Sequence, residues 1–301
     1  MSRGANCYAD DSCQENEQAP TFFARYCPMR LVDALEMVVR TDPGMIRSHN
    51  EDAIHADPGL GVAILADGMG GYNAGEVASG LATTRLAEDM ARVINACNAE
   101  GRELSDAALV EQHIVNEVGA ANSAIFNAAQ SCSQYTGMGT TLVLAWFYDN
   151  HMSVAHVGDS RLYRLRGECF EQLTRDHSLL QEQLDNGIIT AEQARYADNR
   201  NLVTRALGVD PEVDVEVHDF DVQIGDILLL CSDGLNDMVD DDDIAVTLRT
   251  LGDNLALAAD HLVHMTNANG GRDNVSVILV RVAADYAVPN GWWQRLLARL
   301  K

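Results

Sequence analysis

The fold prediction starts from Gly61-Val62-Ala63-Ile64-Leu65-Ala66-Asp67-Gly68-Met69-Gly70-Gly71, an apolar run that ends in an acid and glycines. Six apolar residues without a polar break are typical of a buried strand. The glycines predict a sharp exit where the backbone comes close to another part of the molecule. We therefore expect the carboxylate of Asp67 at the end of a buried strand.

The same arrangement recurs at residues 225–234, where a second apolar run leads into Asp233-Gly234. Three further acids stand at strand ends or beside glycine and asparagine: Asp52, Asp159 and Asp273. Carboxylate, carbonyl and water oxygens without Cys or His are the ligands that Mg²⁺ and Mn²⁺ prefer. One Asp-Gly pair is a common turn, but five such acids together predict a shared metal site. Two ions in such a site can activate a water and neutralise charge on a phosphoryl group.

The composition excludes some classes of function. The 301 residues carry 45 acids against 21 Lys and Arg, a net charge of −24, which argues against non-specific binding of nucleic acid or anionic lipid. Seven widely spaced cysteines without a Cys-x-x-Cys pair favour reduced thiols and a cytoplasmic location. No apolar run reaches about 18 residues, so we expect no transmembrane segment.

The domain organisation follows from shifts in composition. Residues 1–28 are polar and aperiodic, which predicts a disordered tail. The pattern of a folded domain covers 29–284, and its polar stretch at about 176–210 predicts a surface flap. Residues 285–301 form a basic, aromatic tail, which favours either a helix that meets a partner or a membrane surface, or docking on the domain.

Periodicity predicts the main elements. Apolar positions at helical spacing indicate helices at 74–97 and 107–130. Short strands at about 140–148, 152–157, 161–166 and 169–172 predict one antiparallel meander. A further strand is expected near 213–219, and a helix at about 241–250 whose N-terminal end is capped by the acids Asp240 to Asp243.

Seven motifs in order resemble the PP2C-type (PPM) metal-dependent serine/threonine protein phosphatases in their short bacterial form, across residues 36–282. The motifs are Arg47-Ser48-His49-Asn50-Glu51-Asp52, Asp67-Gly68-Met69-Gly70-Gly71, Gly139-Thr140-Thr141, His156-Val157-Gly158-Asp159-Ser160-Arg161, Asp176-His177-Ser178, Ser232-Asp233-Gly234-Leu235 and Arg272-Asp273-Asn274-Val275-Ser276. The resemblance implies an α+β fold, a four-layer αββα sandwich in which helices flank two central antiparallel sheets.

The resemblance also implies a centre of two Mn²⁺ or Mg²⁺ ions. Asp67 would bridge the ions and the carbonyl of Gly68 would bind one of them. The remaining ligands would be acids, Asp52, Asp233 and Asp273 in the core site and Asp159 for a third, weaker ion. Arg47 matches the phosphate-binding arginine, whose planar fork grips two phosphate oxygens.

The implied reaction is hydrolysis of phosphoserine and phosphothreonine in proteins by a metal-activated water, by a monomer that opposes a bacterial Ser/Thr kinase. The substrates would be phosphoproteins, including the kinase or its targets. A catalytically weak or inactive phosphoprotein-binding regulator is the alternative, and the intact acids argue against it. Met69 replaces the histidine proposed as general acid in eukaryotic relatives, which leaves the proton donor open among His49, His156, His177 and a metal-bound water.

Overall fold

The apolar run at residues 62–66 lies in strand β3 (Val62–Met69). The computed structural model describes residues 30–71, 73–100, 105–190, 193 and 202–288. Successive side chains of a strand point to opposite faces, and both faces of β3 are covered. Val62 and Ile64 pack in one apolar core while Ala63 and Leu65 pack in another. The unbroken apolar run therefore marks a strand buried on both sides, as predicted.

Two antiparallel sheets form the centre of the fold. The first has the order β1-β11-β10-β7-β8, and the second the order β2-β3-β5-β6-β9, with β4 paired on β3. The strands are β1 (Leu35–Asp42), β2 (Asp52–Asp57), β3, β4 (Gly139–Thr140), β5 (Leu142–Tyr148), β6 (His151–Val157), β7 (Arg161–Arg166), β8 (Cys169–Gln172), β9 (Glu216–Asp221), β10 (Ile227–Cys231) and β11 (Val275–Val282).

Helices cover the outer faces of both sheets. They are α1 (Leu31–Ala34), α2 (Ala74–Glu100), α3 (Ala107–Ser131), α4 (Leu179–Asp185), α5 (Asp233–Asn236), α6 (Asp241–Leu251) and α7 (Leu255–Ala268). One core lies between α2, α3 and the second sheet, one between the two sheets, and one between the first sheet and α6 and α7. Three apolar cores separate four layers, so the predicted αββα sandwich is confirmed.

The predicted meander is wrong. Strands β5 and β6 pair in the second sheet, whereas β7 and β8 pair in the first, where β7 also pairs with β10. The chain changes sheets at the turn Gly158–Ser160, between β6 and β7. Short strands at even spacing are compatible with one sheet or with two, because the spacing does not encode which remote strand will pair with β7. The crossing brings Asp159 to the end of the sandwich.

Several element boundaries agree with the prediction, and others move. The side chain of Asp106 caps α3 by accepting a hydrogen bond from the backbone N–H of Ala108. Asp240 stands at the N-cap position of α6 but makes no capping hydrogen bond, and Asp241 to Asp243 lie in the first turn. The strand expected near 213–219 is β9 and begins at Glu216.

Among the described helices, none has both the length and the apolar character that a membrane span requires.

Parts of the predicted flap and of the predicted C-terminal tail are packed in the domain. His177 and Leu207 are buried, so both ends of the 176–210 stretch belong to the packed domain, and the described surface part is α4 with the residues up to Thr190. Tyr286 packs in the core between the sheets, which extends the packed structure beyond residue 284. The disordered tail predicted for 1–28 and the basic, aromatic stretch at 292–301 lie outside the described residues.

Candidate metal centre

The five predicted acids converge at one end of the sandwich. Asp52 opens β2 and lies opposite Asp67 in the register of β2 and β3. The other three acids flank strand ends, Asp159 after β6, Asp233 after β10 and Asp273 before β11. Their charges interact, because the carboxylates of the other four acids all raise the pKa of Asp67. The structure therefore places every predicted acid in one cluster.

Asp52 is held so that one of its two carboxylate oxygens stays free. The hydroxyls of Ser232 and Ser276 donate to Oδ2 at 2.9 and 2.6 Å. Oδ1 is buried and accepts no hydrogen bond. A buried carboxylate oxygen without a partner is costly, and a cation would satisfy it. Burial, outweighing the hydroxyl donors, raises the pKa of Asp52 to about 6.

The backbone of Asp67 is fixed on both sides by two threonines. Its N–H donates to Thr141 Oγ1 at 3.0 Å, and its carbonyl accepts from Thr140 Oγ1 and from the N–H of Thr141, both at 2.8 Å. Thr141 Oγ1 also shares a hydrogen bond of 2.7 Å with Ser160 Oγ. A hydroxyl pair thus connects the strand end that carries Asp67 to the turn that carries Asp159.

The electrostatics of the cluster fit divalent cations. Burial, with repulsion from neighbouring acids, raises the pKa values of Asp67 and Asp233 well above the usual carboxyl range. The same causes raise the pKa of Asp159 to about 6. The donor set consists of carboxylate oxygens, which suit Mg²⁺ and Mn²⁺. Bound cations would keep these groups ionised and offset their repulsion, so the residues present fit such ions.

Gly68 marks a close approach of three backbone segments. A Cβ at this position would lie 2.2 Å from the carbonyl oxygen of Gly75 in α2 and 2.6 Å from that of Glu51. The N–H of Gly68 donates to the Glu51 carbonyl at 3.1 Å. Only glycine fits this junction of β3, α2 and the segment before β2, which is the close approach that the glycine-rich exit predicts.

Arg47 lies beside the acid cluster. Its Nη2 contacts Asp273 Oδ2 at 2.6 Å, and about half of the side chain is exposed. Its loop is held by Asn274, whose Nδ2 donates to the carbonyls of Pro43 and His49 at 3.0 and 2.9 Å. A fixed guanidinium at the rim of an acidic site is suited to hold an anion next to bound cations.

The histidines considered as proton donors separate in the structure. His156 and His177 are buried under the Gly158 turn, next to Glu216. Each ring uses one nitrogen in a backbone hydrogen bond: Nε2 of His156 donates to the carbonyl of Arg175, and Nδ1 of His177 accepts from the N–H of Gly158. His49 is exposed, on the loop that carries Arg47. Met69 has no transferable proton, and its Cε methyl group lies near Gly139.

Sequence reasoning missed the residues that orient the acids. The residues in question all lie within the seven sequence motifs: Ser232, Ser276, Thr140, Thr141 and Asn274. Their positions next to the acids were the available signal, but a hydroxyl or amide beside an acid does not reveal its partner before the fold is known. A sixth acid, Asp237, also raises the pKa of Asp233. It stands four residues after Asp233, at the spacing of one helical turn.

Comparisons with known proteins identify the family of this chain. The family described as protein phosphatase 2C matches residues 47–266. The serine/threonine phosphatase stp of Listeria welshimeri is 39% identical over 247 residues, which are 80% of this chain and 93% of that protein.

Solved structures give the same assignment. The catalytic domain of the serine/threonine protein phosphatase PstP, solved with two manganese ions, is 35% identical with a TM-score of 0.72 and covers 83% of this chain and 99% of that one. PppA, described as a key regulatory component of type VI secretion in Pseudomonas aeruginosa, is 32% identical with a TM-score of 0.70 and covers 82% of this chain and 97% of that one. This chain belongs to the protein phosphatase 2C family.

Proposed function

We propose that this protein hydrolyses phosphoserine and phosphothreonine in proteins with the help of two divalent cations. The observation that carries the proposal is the buried, unpartnered Oδ1 of Asp52 within a cluster of acids where burial and charge repulsion raise the pKa values of Asp52 and Asp67. Such a cluster is unfavourable by itself and becomes favourable when cations occupy it.

The ligand roles are those that membership of the protein phosphatase 2C family implies for these positions. Asp67, opposite Asp52 in the register of β2 and β3, would be shared by both ions, with the carbonyl of Gly68 on one of them. Asp52, Asp233 and Asp273 would complete the core site, and Asp159 would hold a third, weaker ion. We expect Mn²⁺ or Mg²⁺. When bound, these ions ionise a water and neutralise charge on the phosphoryl group.

The chain itself supplies orientation and charge. Arg47 binds the phosphate through its planar fork and thereby orients it against the acid cluster. Ser232 and Ser276 fix the direction of Asp52, and the two threonines fix the backbone of Asp67. Met69 supplies no proton, so the leaving alkoxide receives its proton from a water in the site or from His49, the exposed histidine of the Arg47 loop.

The partners would be phosphoproteins, among them a bacterial Ser/Thr kinase or its targets, and the acting unit a monomer. The four described cysteines are free thiols, which suits the reducing cytoplasm. A role in type VI secretion, the system with which PppA is described, is one context for such an enzyme. An inactive regulator is disfavoured, because all five acids and Arg47 are present and placed together.

The test is phosphate release from a phosphothreonine peptide with Mn²⁺, with and without chelator, in wild type and Asp233→Ala. We expect wild-type turnover that chelator abolishes, and a loss of about 100-fold or more in the variant. Asp242→Ala is the matched control, because Asp242 is an exposed acid in the first turn of α6. Equal rates for wild type and Asp233→Ala would refute the metal assignment, and an inactive wild type would favour the regulator.

A further inference from the structure

The turn that carries Asp159 is held by one residue from a distant part of the chain. The N–H of His177 donates to the carbonyl of Gly158 at 2.8 Å, and the N–H of Gly158 donates to Nδ1 of the His177 ring at 3.1 Å. Both backbone groups of Gly158 are therefore bonded to His177, and Asp159 is the next residue.

Gly158 has little room to move between its neighbours. Its φ is +107°, a conformation that favours glycine, and a Cβ there would lie 2.7 Å from Cγ2 of Thr141. His177 lies on one side of the turn and Thr141 on another. The direction in which Asp159 leaves the turn therefore depends on these two contacts.

The ring of His177 is itself fixed from its far side. Its Nε2 lies 3.2 Å from Glu216 Oε1, and Glu216 also meets Arg205 at 3.4 Å. The ring stacks on His156 with centroids 4.6 Å apart and an interplanar angle of 23°. The side chain is 7% exposed. A strand of the second sheet thus determines the orientation of a ring that contacts the metal-binding end.

His156, His177 and Glu216 have the residue types of a zinc site, but their hydrogen bonds indicate another role. Nδ1 of His177 needs its lone pair to accept from Gly158, so the ring proton is on Nε2, the nitrogen that lies 3.2 Å from Glu216 Oε1. Nε2 of His156 must carry a proton to donate to the carbonyl of Arg175 at 2.8 Å. The nitrogens nearest Glu216 are therefore donors, whereas a metal ligand needs a lone pair.

We propose that His177 is a positioning residue for Asp159, acting through the hydrogen bond between its Nδ1 and the N–H of Gly158. This inference rests on the proposed role of Asp159 as ligand of the third, weaker ion. The carboxylate of Glu216 lies 3.2 Å from Nε2 and favours this tautomer electrostatically, as outer carboxylates do for histidines around metal centres. Loss of the Nδ1 acceptor leaves the N–H of Gly158 unpaired and releases the turn.

Two substitutions separate this role from simple ring packing. In His177→Asn the side-chain oxygen takes the place of Nδ1 and keeps an acceptor for Gly158. In His177→Gln the side-chain nitrogen takes the place of Nε2 and keeps a donor for Glu216, but Gly158 loses its acceptor. Both variants remove the ring, so a packing role would affect them alike.

The measurement is Mn²⁺ binding to the full chain, followed by the paramagnetic resonance of free Mn²⁺. We expect the dissociation constant of the weak ion to rise about tenfold or more in His177→Gln and to stay near the wild-type value in His177→Asn. The tighter pair should keep its affinity in both. In an Asp159→Asn background, His177→Gln should add nothing further, since coupled residues are not additive.

Equal weakening in both variants, or no weakening in His177→Gln, would overturn the inference. If His177→Gln does not fold, Glu216→Ala is the second variant. It leaves the ring in place without the carboxylate beside Nε2, and an unchanged dissociation constant of the weak ion there would also overturn the inference. If the proposed phosphatase function is wrong, the result is different: the wild-type protein binds no Mn²⁺ and releases no phosphate.

Discussion

Arg47 and Asp273 form an ion pair of 2.6 Å at the rim of the acid cluster. The pair is partly exposed, so its own contribution to stability is small. Its importance lies in orientation, because it fixes a guanidinium whose remaining N–H groups can receive an anion. The planar fork binds two phosphate oxygens at once, and an ammonium cannot.

Arg47→Lys keeps the charge and loses the fork. We expect kcat/KM for a phosphopeptide to fall by one to two orders of magnitude, since hydrogen bonds to charged groups contribute about 1.5–3 kcal/mol. Inhibition by inorganic phosphate should weaken in parallel, while Mn²⁺ affinity changes little. Steady-state kinetics with phosphate as inhibitor measures both effects.

Arg40→Lys is the control, because Arg40 pairs with Asp260 on the surface in the same kind of contact. Its kinetics should match the wild type. Unchanged phosphate inhibition in Arg47→Lys would remove Arg47 from the phosphate site.

The acids of the site could be predicted from sequence, but their orienting partners could not. Asp67 and Asp233 stand out because an apolar strand runs directly into each. Ser276 carries no such mark: its hydroxyl reaches Asp52 across 224 positions of chain, and that proximity exists only after β2 and β11 have come together. Long-range contacts between small polar residues leave no local pattern in a sequence.

At the level of elements, the connection from β3 to α2 restricts the residue type at position 68 to glycine. Gly68→Ala would place a methyl group against the backbone carbonyls of Gly75 and Glu51, which cannot move independently of their elements. Overpacking of this kind costs about 1–3 kcal/mol or more. We expect the free energy of unfolding in urea to fall by at least that amount, with weaker Mn²⁺ binding.

Gly80→Ala is the matched control within α2. Nothing lies within 4 Å of a Cβ at Gly80, and alanine favours a helix over glycine by about 1 kcal/mol. This variant should therefore be as stable as the wild type or more stable. Equal free energies of unfolding for the two alanine variants would contradict the close approach at Gly68.

The elements themselves were predictable where periodicity was strong, as in α2 and α3, but their assignment to sheets was not. Strands β5 to β8 have hairpin spacing throughout, yet the chain leaves one sheet at Gly158 and enters the other. Pairing of β7 with β10 decides this, and β10 stands far along the chain. A local pattern predicts that a strand exists, whereas remote partners determine which sheet it joins.

For the whole molecule, the acid cluster makes stability depend on pH and metal. The pKa values of Asp52 and Asp159 are raised to about 6, above the value of about 3.9 for an unfolded chain. Between about pH 3.9 and 6, the folded, metal-free protein therefore binds more protons than the unfolded chain. The contribution of these two acids to the stability of the folded state is therefore most favourable below about pH 4. It is lost as the pH rises through 6.

We expect thermal unfolding of the chelated protein to show this loss between about pH 4 and 6. Mn²⁺ at 1,000 times its dissociation constant should restore about 4 kcal/mol at neutral pH. Asp67→Asn removes the central charge, so the chelated variant should melt above the chelated wild type and gain little from Mn²⁺. A chelated variant that melts at or below the wild-type temperature would contradict the repulsion within the cluster.

The pairing of β1 with β11 joins the first and the last strand among the described residues, in continuous register from Leu35 opposite Val282 to Asp42 opposite Val275. During synthesis, β1 leaves the ribosome long before β11 has been made. The backbone N–H and C=O groups that pair with β11 therefore stay unpaired until then. Such sequence separation slows folding and exposes an unpaired strand. The first sheet therefore closes only after translation has passed β11, so a nascent chain truncated before that strand should depend on chaperones.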